Sequence, residues 1–242
     1  MKVLVANGCS HTAGTNVNPD NLFFCHEVAW PRWVADHFGY KYINLADGGN
    51  GSEQISRTTI LSVSNMLKQG ASSKDLEVVI SWSGFDRYEF WSPKAKKHMS
   101  VSLGSAMMSH VDPTVKQYVE ARSLIEFEDY SNYKNLYHMY VTALFLESKG
   151  IKYYFANGVR PFKHPSQFRE YRELKNDYIS LLGLYGDSRI EKHLGFFDKS
   201  VTFKNYLKDI PCTPYGDKQH WGEDGQKKYA DLIIKHIENL GV

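Results

Sequence analysis

Four short apolar runs recur along this chain, at residues 3–6, 40–46, 76–82 and 151–156, and each ends in a polar stretch rich in turn residues. The endings are Asn7-Gly8, Asp47-Gly48-Gly49-Asn50-Gly51, Ser83-Gly84 and Asn157-Gly158. Between the runs lie longer segments whose apolar residues recur at three- and four-residue spacing. Strand signals alternating with helix signals predict a parallel sheet covered by helices, an α/β fold. In such sheets ligands bind beyond the carboxyl ends of the strands. Every polar ending named above falls there.

The helices can be read individually. Residues 30–38 open with Trp30-Pro31, and proline is tolerated in a first turn, where an amide hydrogen has no partner anyway. Gly39 supplies the C-cap. Ser52 is placed to cap the next helix, whose buried stripe is Ile55, Thr59, Val63, Met66 and Leu67. A helix over 133–149, stopped by Gly150, is expected to bury Leu136, Tyr137, Tyr140, Val141, Leu144 and Phe145. Another, over about 166–182, carries Tyr171, Leu174, Tyr178, Leu181 and Leu182 on one side. The last, over about 222–240, turns Tyr229, Leu232, Ile233 and Ile237 inward. The run at 76–82 is apolar enough to be a central strand. Residues 90–130 fit neither period and read as an insertion with some helix, able to cap a site; residues 189–209 are ambiguous. Nothing resembles a repeat or a linker, so residues 1–242 are expected to form a single domain.

Composition narrows the function. With 42% hydrophobic and 23% charged residues, this is the chain of an ordinary soluble globular protein. The formal net charge is +2, and the densest basic run, Lys94 to Lys97, is interrupted by Ala95, so no nucleic-acid partner is indicated. No apolar stretch reaches membrane-spanning length and the amino terminus has no apolar signal region, which together exclude a membrane partner and lead to the expectation of a cytoplasmic protein. The cysteines Cys9, Cys25 and Cys212 are odd in number and have no metal-ligand spacing, as expected of reduced thiols. His11, His26 and His98 likewise form no recognisable metal motif. No metal or cofactor is expected. Oligomeric state is not legible.

The candidate chemistry lies at the two ends of the chain. Ser10 follows the first strand, while Asp217 and His220 stand three apart just before the last helix. A serine hydroxyl becomes a useful nucleophile when a histidine takes its proton, and a carboxylate fixes that histidine's tautomer and steadies its charged form. One loop can present both Asp217 and His220. Cys9 is an alternative nucleophile on chemical grounds, and a buried neighbour without a role otherwise. Asp86, Arg87 and Glu89 read either as a substrate-binding group or as a solvated loop held by an ion pair.

Three blocks carry a family resemblance. Gly8-Cys9-Ser10-His11-Thr12 resembles the opening Gly-Asp-Ser-x-Thr block of the SGNH (GDSL) hydrolases. Asn44 to Gly49 resembles their glycine block, with an Asn five positions before the oxyanion glycine. Asp217-Lys218-Gln219-His220, with Gly225 opening the final helix, resembles their closing Asp-x-x-His block. A Gly-x-Ser-x-Gly elbow of the ordinary α/β-hydrolases is absent. The resemblance implies a three-layer α/β/α sandwich, flavodoxin-like, with a central, mostly parallel sheet of about five strands. It also implies an esterase or deacetylase acting on a small acyl ester of a polar or carbohydrate-like substrate, without a cofactor. Ser10 would be the nucleophile, His220 the base and Asp217 its orienting acid, with Gly49 in the oxyanion hole.

Two residues depart from the family pattern. Phe85 stands where the family places an oxyanion Asn, and losing one such donor typically costs about two to three orders of magnitude in rate. Ser83, Arg87 and Asn157, all at strand ends on the same edge, are the candidate replacements or substrate-binding groups. Cys9 replaces the usual Asp before the nucleophile. The opening block and the Trp82-Ser83 loop together resemble a divergent branch associated with bacteriophage genomes. A non-catalytic binding protein on the same fold and an acyltransferase using the same site are the alternative readings.

Overall fold

The computed structural model describes residues 1–15, 25–84, 86–94, 96–102, 112–125, 128–159, 172–187, 207 and 220–239. The expected apolar runs are strands. They are β1 (Val3–Gly8), β2 (Lys41–Asn44), β3 (Leu76–Trp82) and, after a separate hairpin of β4 (Arg87–Ser92) and β5 (Lys97–Ser102), β6 (Lys152–Asn157). Among the described residues the central sheet has four strands in the order β2-β1-β3-β6, all parallel. All seven residues of β3 are buried, as befits a strand flanked on both sides. The chain crosses from β2, on one side of β1, to β3 on the other. The direction of winding therefore reverses at β1, and the crevice there is where parallel sheets receive ligands.

Helices cover both faces of the sheet, which makes the fold a three-layer α/β/α sandwich. On one face α2 (Trp30–Phe38) and α7 (Glu223–Asn239) bury Trp30, Val34, Tyr229, Ile233 and Ile237 against Leu4, Ala6 and Val79. On the other, α3 (Ser52–Lys68), α5 (Glu128–Ser148) and α6 (Arg172–Asp187) pack on Val5, Val78, Ile80 and Phe155. The alternation of β3 explains the split: even-numbered residues from Leu76 to Trp82 face one layer, and Val79 faces the other. Trp30 and Leu136 are both fully buried, and truncating either to alanine is expected to cost about 2–5 kcal/mol.

Helix α2 matches its sequence signals, with Pro31 in the first turn and Gly39, at φ 67°, closing it through bonds to the Ala35 and Asp36 carbonyls. Elsewhere the structure differs from expectation. Helix α5 starts at Glu128 and buries Leu136, Met139, Ala143 and Leu146, whereas Tyr137 and Leu144 are exposed. Polar and apolar residues are mixed around this helix without one clear apolar face, and close approach to α3 decides which side goes inward. Small residues are needed at that contact, where the Thr142 hydroxyl donates to Ser56 Oγ at 2.7 Å. Ser52 does not cap α3. Gly51 is the N-cap residue, and Ser52 is the first helical residue.

The described part of the 90–130 region is the end of β4, β5, α4 (Pro113–Ile125) and the start of α5. One face of the hairpin, with Tyr88 and Val101, packs with Val119 of α4. The opposite face turns Glu89 to Arg57 of α3, whose Nε donates at 2.9 Å, and Ser100 Oγ to Gln54 Oε1 at 2.6 Å. Glu89 is thus an ion-pair residue holding the hairpin. Residues 188–206 and the expected start of α6, at 166–171, lie outside the described residues.

Candidate active site at the carboxyl edge of the sheet

β1 runs two residues beyond its apolar stretch, so Asn7 and Gly8 belong to the sheet. Asn7 is fully buried, and its Nδ2 lies 2.8 Å from Thr58 Oγ1, 2.9 Å from Thr59 Oγ1 and 3.1 Å from the Ile55 carbonyl of α3. Gly8 cannot be anything larger. A Cβ there would stand 2.2 Å from Thr12 Oγ1 and 2.9 Å from the Ser81 carbonyl oxygen. Beyond it the chain tightens at once into a single turn, α1 (Ser10–Ala13), with the Thr12 and Ala13 amides both 2.9 Å from the Cys9 carbonyl. Gly14, at φ 70°, ends the turn by donating to the Ser10 carbonyl. Ser10 is therefore the first residue of a short rigid turn at the point where winding reverses, with 8% of its surface exposed.

The glycine loop is stapled to this turn. Asn44 Nδ2 donates to the Thr12 carbonyl at 2.8 Å, and Asn50 Nδ2 donates to the Gly8 carbonyl at 3.2 Å. Gly49 adopts φ 81°, a backbone region open mainly to glycine. Its N–H has no hydrogen-bond partner among the described residues. The hairpin closes the loop from outside: Arg87 Nη1 donates to the Asn50 carbonyl at 3.1 Å, and the Gly51 amide lies 3.4 Å from Ser100 Oγ. Arg87 thus braces the loop backbone.

Two more expected residues lie on the same edge. Ser83 follows β3, is 4% exposed, and its hydroxyl has no hydrogen-bond partner among the described residues. Asn157 ends β6 level with Trp82 of β3, and the next residue, Gly158, donates to the Trp82 carbonyl at 2.7 Å. Burial pushes the Tyr229 phenol of α7 well above its ordinary value, with Cys9 nearby adding to the rise. Cys9 itself is fully buried.

His220 reaches this edge from the other end of the chain. Its imidazole lies against that of His11, with ring centroids 4.9 Å apart and planes tilted by 42°. The residue immediately after Ser10 therefore touches the histidine of the closing block. The structure brings Ser10, His220, the Gly49 loop, Arg87 and the end of β3 to one edge. Asp217 and Phe85 lie outside the described residues. Among the described residues no three His, Cys, Asp or Glu side chains come together to hold a metal ion, and no helix is long and apolar enough to cross a membrane.

No protein-family model matches the chain, and no curated protein matches it. Solved structures do match along its whole length. The psychrotrophic esterase EstA from Pseudoalteromonas sp. superposes with a TM-score of 0.52 at 11% identity, covering 99% of this chain and 98% of that one. The chain has the SGNH-hydrolase fold. TesA superposes with a TM-score of 0.50 at 11% identity, with 99% of each chain covered. The acetyl xylan esterase Est2A from the rumen bacterium Butyrivibrio proteoclasticus gives 0.53 at 10% identity over 98% of this chain, which spans 64% of Est2A. At such identities the likeness is one of fold.

Two features of this SGNH fold escaped the sequence reading. Asn50, flanked by glycines in a polar loop, looked like turn filler; its position between two backbone-adapting glycines was the signal that its own side chain is used. The other is the contact of His11 with His220, which leaves no local signal because the two are more than two hundred residues apart.

Proposed function

We propose that this protein is an SGNH-type serine ester hydrolase that removes a small acyl group, such as acetyl, from a polar or carbohydrate-like substrate. The observation that supports this reading is the contact between the imidazoles of His11 and His220, which brings His220 beside the turn that starts with Ser10. In this mechanism Ser10 Oγ attacks the acyl carbonyl while His220 takes the hydroxyl proton. His220 then protonates the departing alcohol, leaving an acyl-serine that water cleaves by the same route. Asp217 orients His220 and steadies its charged form. The chemistry calls for no cofactor.

The oxyanion forms next to backbone donors, the N–H groups of Ser10 and Gly49. Ser83 is our candidate for the third donor, in place of the family Asn that Phe85 replaces. Its buried hydroxyl lacks a partner among the described residues, whereas Arg87 is engaged with the Asn50 carbonyl. The substrate class is supported by the neighbours at usable similarity. One is described as an acetyl xylan esterase, and another as a carbohydrate esterase whose active site displays divergent catalytic and non-catalytic binding functions.

Hydrolysis of a short-chain activated ester, wild type beside Ser10→Ala and His220→Ala, tests the reading. Each substitution is expected to lower kcat by about 10³-fold or more with the fold retained. Equal rates in all three proteins would sink the hydrolase and favour a binding protein on the same fold. Product analysis with an added alcohol acceptor separates hydrolysis from acyl transfer.

A further inference from the structure

We propose that the first turns of α5 carry a binding subsite for the alcohol part of the substrate, with Ser131 and Asn135 as the side chains that meet its hydroxyl groups. The proposal rests on the hydrolase reading and deepens it, since it says which part of the ester is recognised and by what. α5 is longer than the layer it belongs to. Its 21 residues extend about 30 Å, whereas the six residues of β6, reached through a three-residue connection, rise about 20 Å. The first turns of α5 therefore stand beyond the carboxyl edge of the sheet. The contact with α3 gives the same offset. Both helices precede a strand of the parallel sheet and run down from that edge, yet the bonded pair Ser56 and Thr142 lies four residues past the start of α3 and fourteen past the start of α5.

The character of the buried side chains changes at the edge. Along the part of α5 that lies on the sheet they are Leu136, Met139, Ala143 and Leu146, with Thr142 on α3. Along the projecting part they are Asp129, Ser131, Asn132 and Asn135. Buried polar side chains are ordinarily paired. Ser131 is 3% exposed and Asn135 8%, and neither has a hydrogen-bond partner among the described residues. The Ser52 hydroxyl, at the top of α3, is buried and unmet in the same way.

Helical spacing sets the side on which these groups lie. Ser131, Asn135, His138 and Thr142 recur at steps of four, three and four residues and so form one stripe. Thr142, low on that stripe, touches α3. Higher up, the stripe passes over the start of α3, where the glycine loop ends at Gly51. From the flank, Lys134 Nζ lies 5.5 Å from the ring centre of Tyr88, next to the Arg87 that holds the Asn50 carbonyl. Ser131 and Asn135 thus stand beside the glycine loop, on the layer opposite the one through which α7 brings His220. A hydroxyl and a carboxamide both donate and accept, and neither carries charge. They complement hydroxyl groups rather than a carboxylate or phosphate. An acetyl group has no hydroxyl, so the part of the ester that can use them is the alcohol that leaves when Ser10 is acylated. No bond is made or broken at the subsite; it holds the alcohol while the carbonyl lies over Ser10.

The test measures hydrolysis by the full chain of two acetates. p-Nitrophenyl acetate has a leaving group without free hydroxyls, whereas a mono-O-acetylated methyl xyloside has a leaving group that carries them. Asn135→Leu keeps the volume and loses the hydrogen bonding. It is expected to lower the ratio of kcat/KM on the xyloside to that on the nitrophenyl ester by about 30-fold, and Ser131→Ala by about 5-fold. The urea midpoint of each variant should hold or rise, because no bond within the protein is lost.

An unchanged ratio in both variants would overturn the subsite, as would a wild type that cleaves the nitrophenyl ester and not the xyloside. An unchanged ratio with a lowered urea midpoint would make the two residues structural. If Asn135→Leu does not fold, Asn135→Ser takes its place in the same comparison, with the same two outcomes. Ser10→Ala keeps the two readings apart. Hydrolysis of both esters that does not depend on Ser10 brings down the hydrolase and the subsite together, whereas Ser10-dependent hydrolysis with an unchanged ratio removes only the subsite.

Discussion

At the amino end of the sheet the Glu77 carboxylate is almost wholly buried, and Lys2 Nζ meets it at 2.6 Å while the Tyr40 hydroxyl donates to it at 3.3 Å. These three residues stand at the starts of three adjacent strands and satisfy one another. At the carboxyl end the Ser83 hydroxyl and the Asn50 Oδ1 are as deeply buried, yet neither has a hydrogen-bond partner among the described residues. A buried carboxylate without a partner would cost several kcal/mol, so the amino end has to be closed. An unmet hydroxyl costs about 1–3 kcal/mol, a penalty a fold can carry where a ligand will later meet the group. One end of the sheet is finished as structure. At the other, near where winding reverses and Ser10 emerges, two buried polar atoms stand unmet among the described residues.

That contrast can be broken by substitution, and the largest effect is expected at Ser83. If its hydroxyl completes the oxyanion hole, Ser83→Ala lowers kcat for a short-chain ester by about 10²-fold. Its stability to urea should hold or rise, because a buried unpaired hydroxyl is removed. A normal kcat would make Ser83 a packing residue and erase the difference between the two ends. Asn50→Ala comes next. It removes the bond to the Gly8 carbonyl that ties the glycine loop to the turn beginning at Ser10. We expect kcat/KM to fall about 10-fold through loss of loop geometry, with the midpoint of urea unfolding moved down, since a buried bond is lost.

The amino end should respond in the opposite manner. Glu77→Gln is expected to lower the urea midpoint and leave kcat within about twofold of wild type, because nothing there touches the reacting atoms. A kinetic defect would mean that the two ends are coupled. The smallest effect is in alkali. Hydrogen bonding to Glu77, and then to Tyr40, raises the Lys2 pKa above its ordinary value. The charged form is therefore favoured in the folded state, and its contribution is complete below the ordinary lysine pKa. It is lost as pH rises through the raised folded value. Urea midpoints measured from neutral pH upward should fall there in wild type and fall less in Glu77→Gln.

The same contrast explains how much could be read from the chain beforehand. Strands β1, β3 and β6 and the two-layer covering were legible because each strand is a short apolar run ending in Asn, Gly or Ser. That Ser10, the Gly49 loop and His220 would share one sheet edge was legible from the ordered blocks, whereas the roles proposed for them come from the resemblance. The inward face of α5 was not, since Tyr137 and Leu144 are as apolar as Met139 and Ala143, and only contact with α3 chooses between them. The β4–β5 hairpin escaped because one face packs on α4 and the other carries Arg87, Glu89 and Ser100 toward α3 and the glycine loop. This blurs simple alternation, and its turn lacks an Asn-Gly or Asp-Gly signal. The contact of His11 with His220 escaped because local sequence cannot register a contact between opposite ends of the chain.

The central claim is that Ser10 is a nucleophile activated by His220 at the carboxyl end of the sheet. Treating the protein with an aryl fluorophosphonate and locating the adduct by peptide mass spectrometry tests it most directly. The account predicts a single adduct on Ser10 in wild type, formed far more slowly in His220→Ala and not at all in Ser10→Ala. An adduct on another residue, or equal labelling of Ser10 with and without His220, would contradict it.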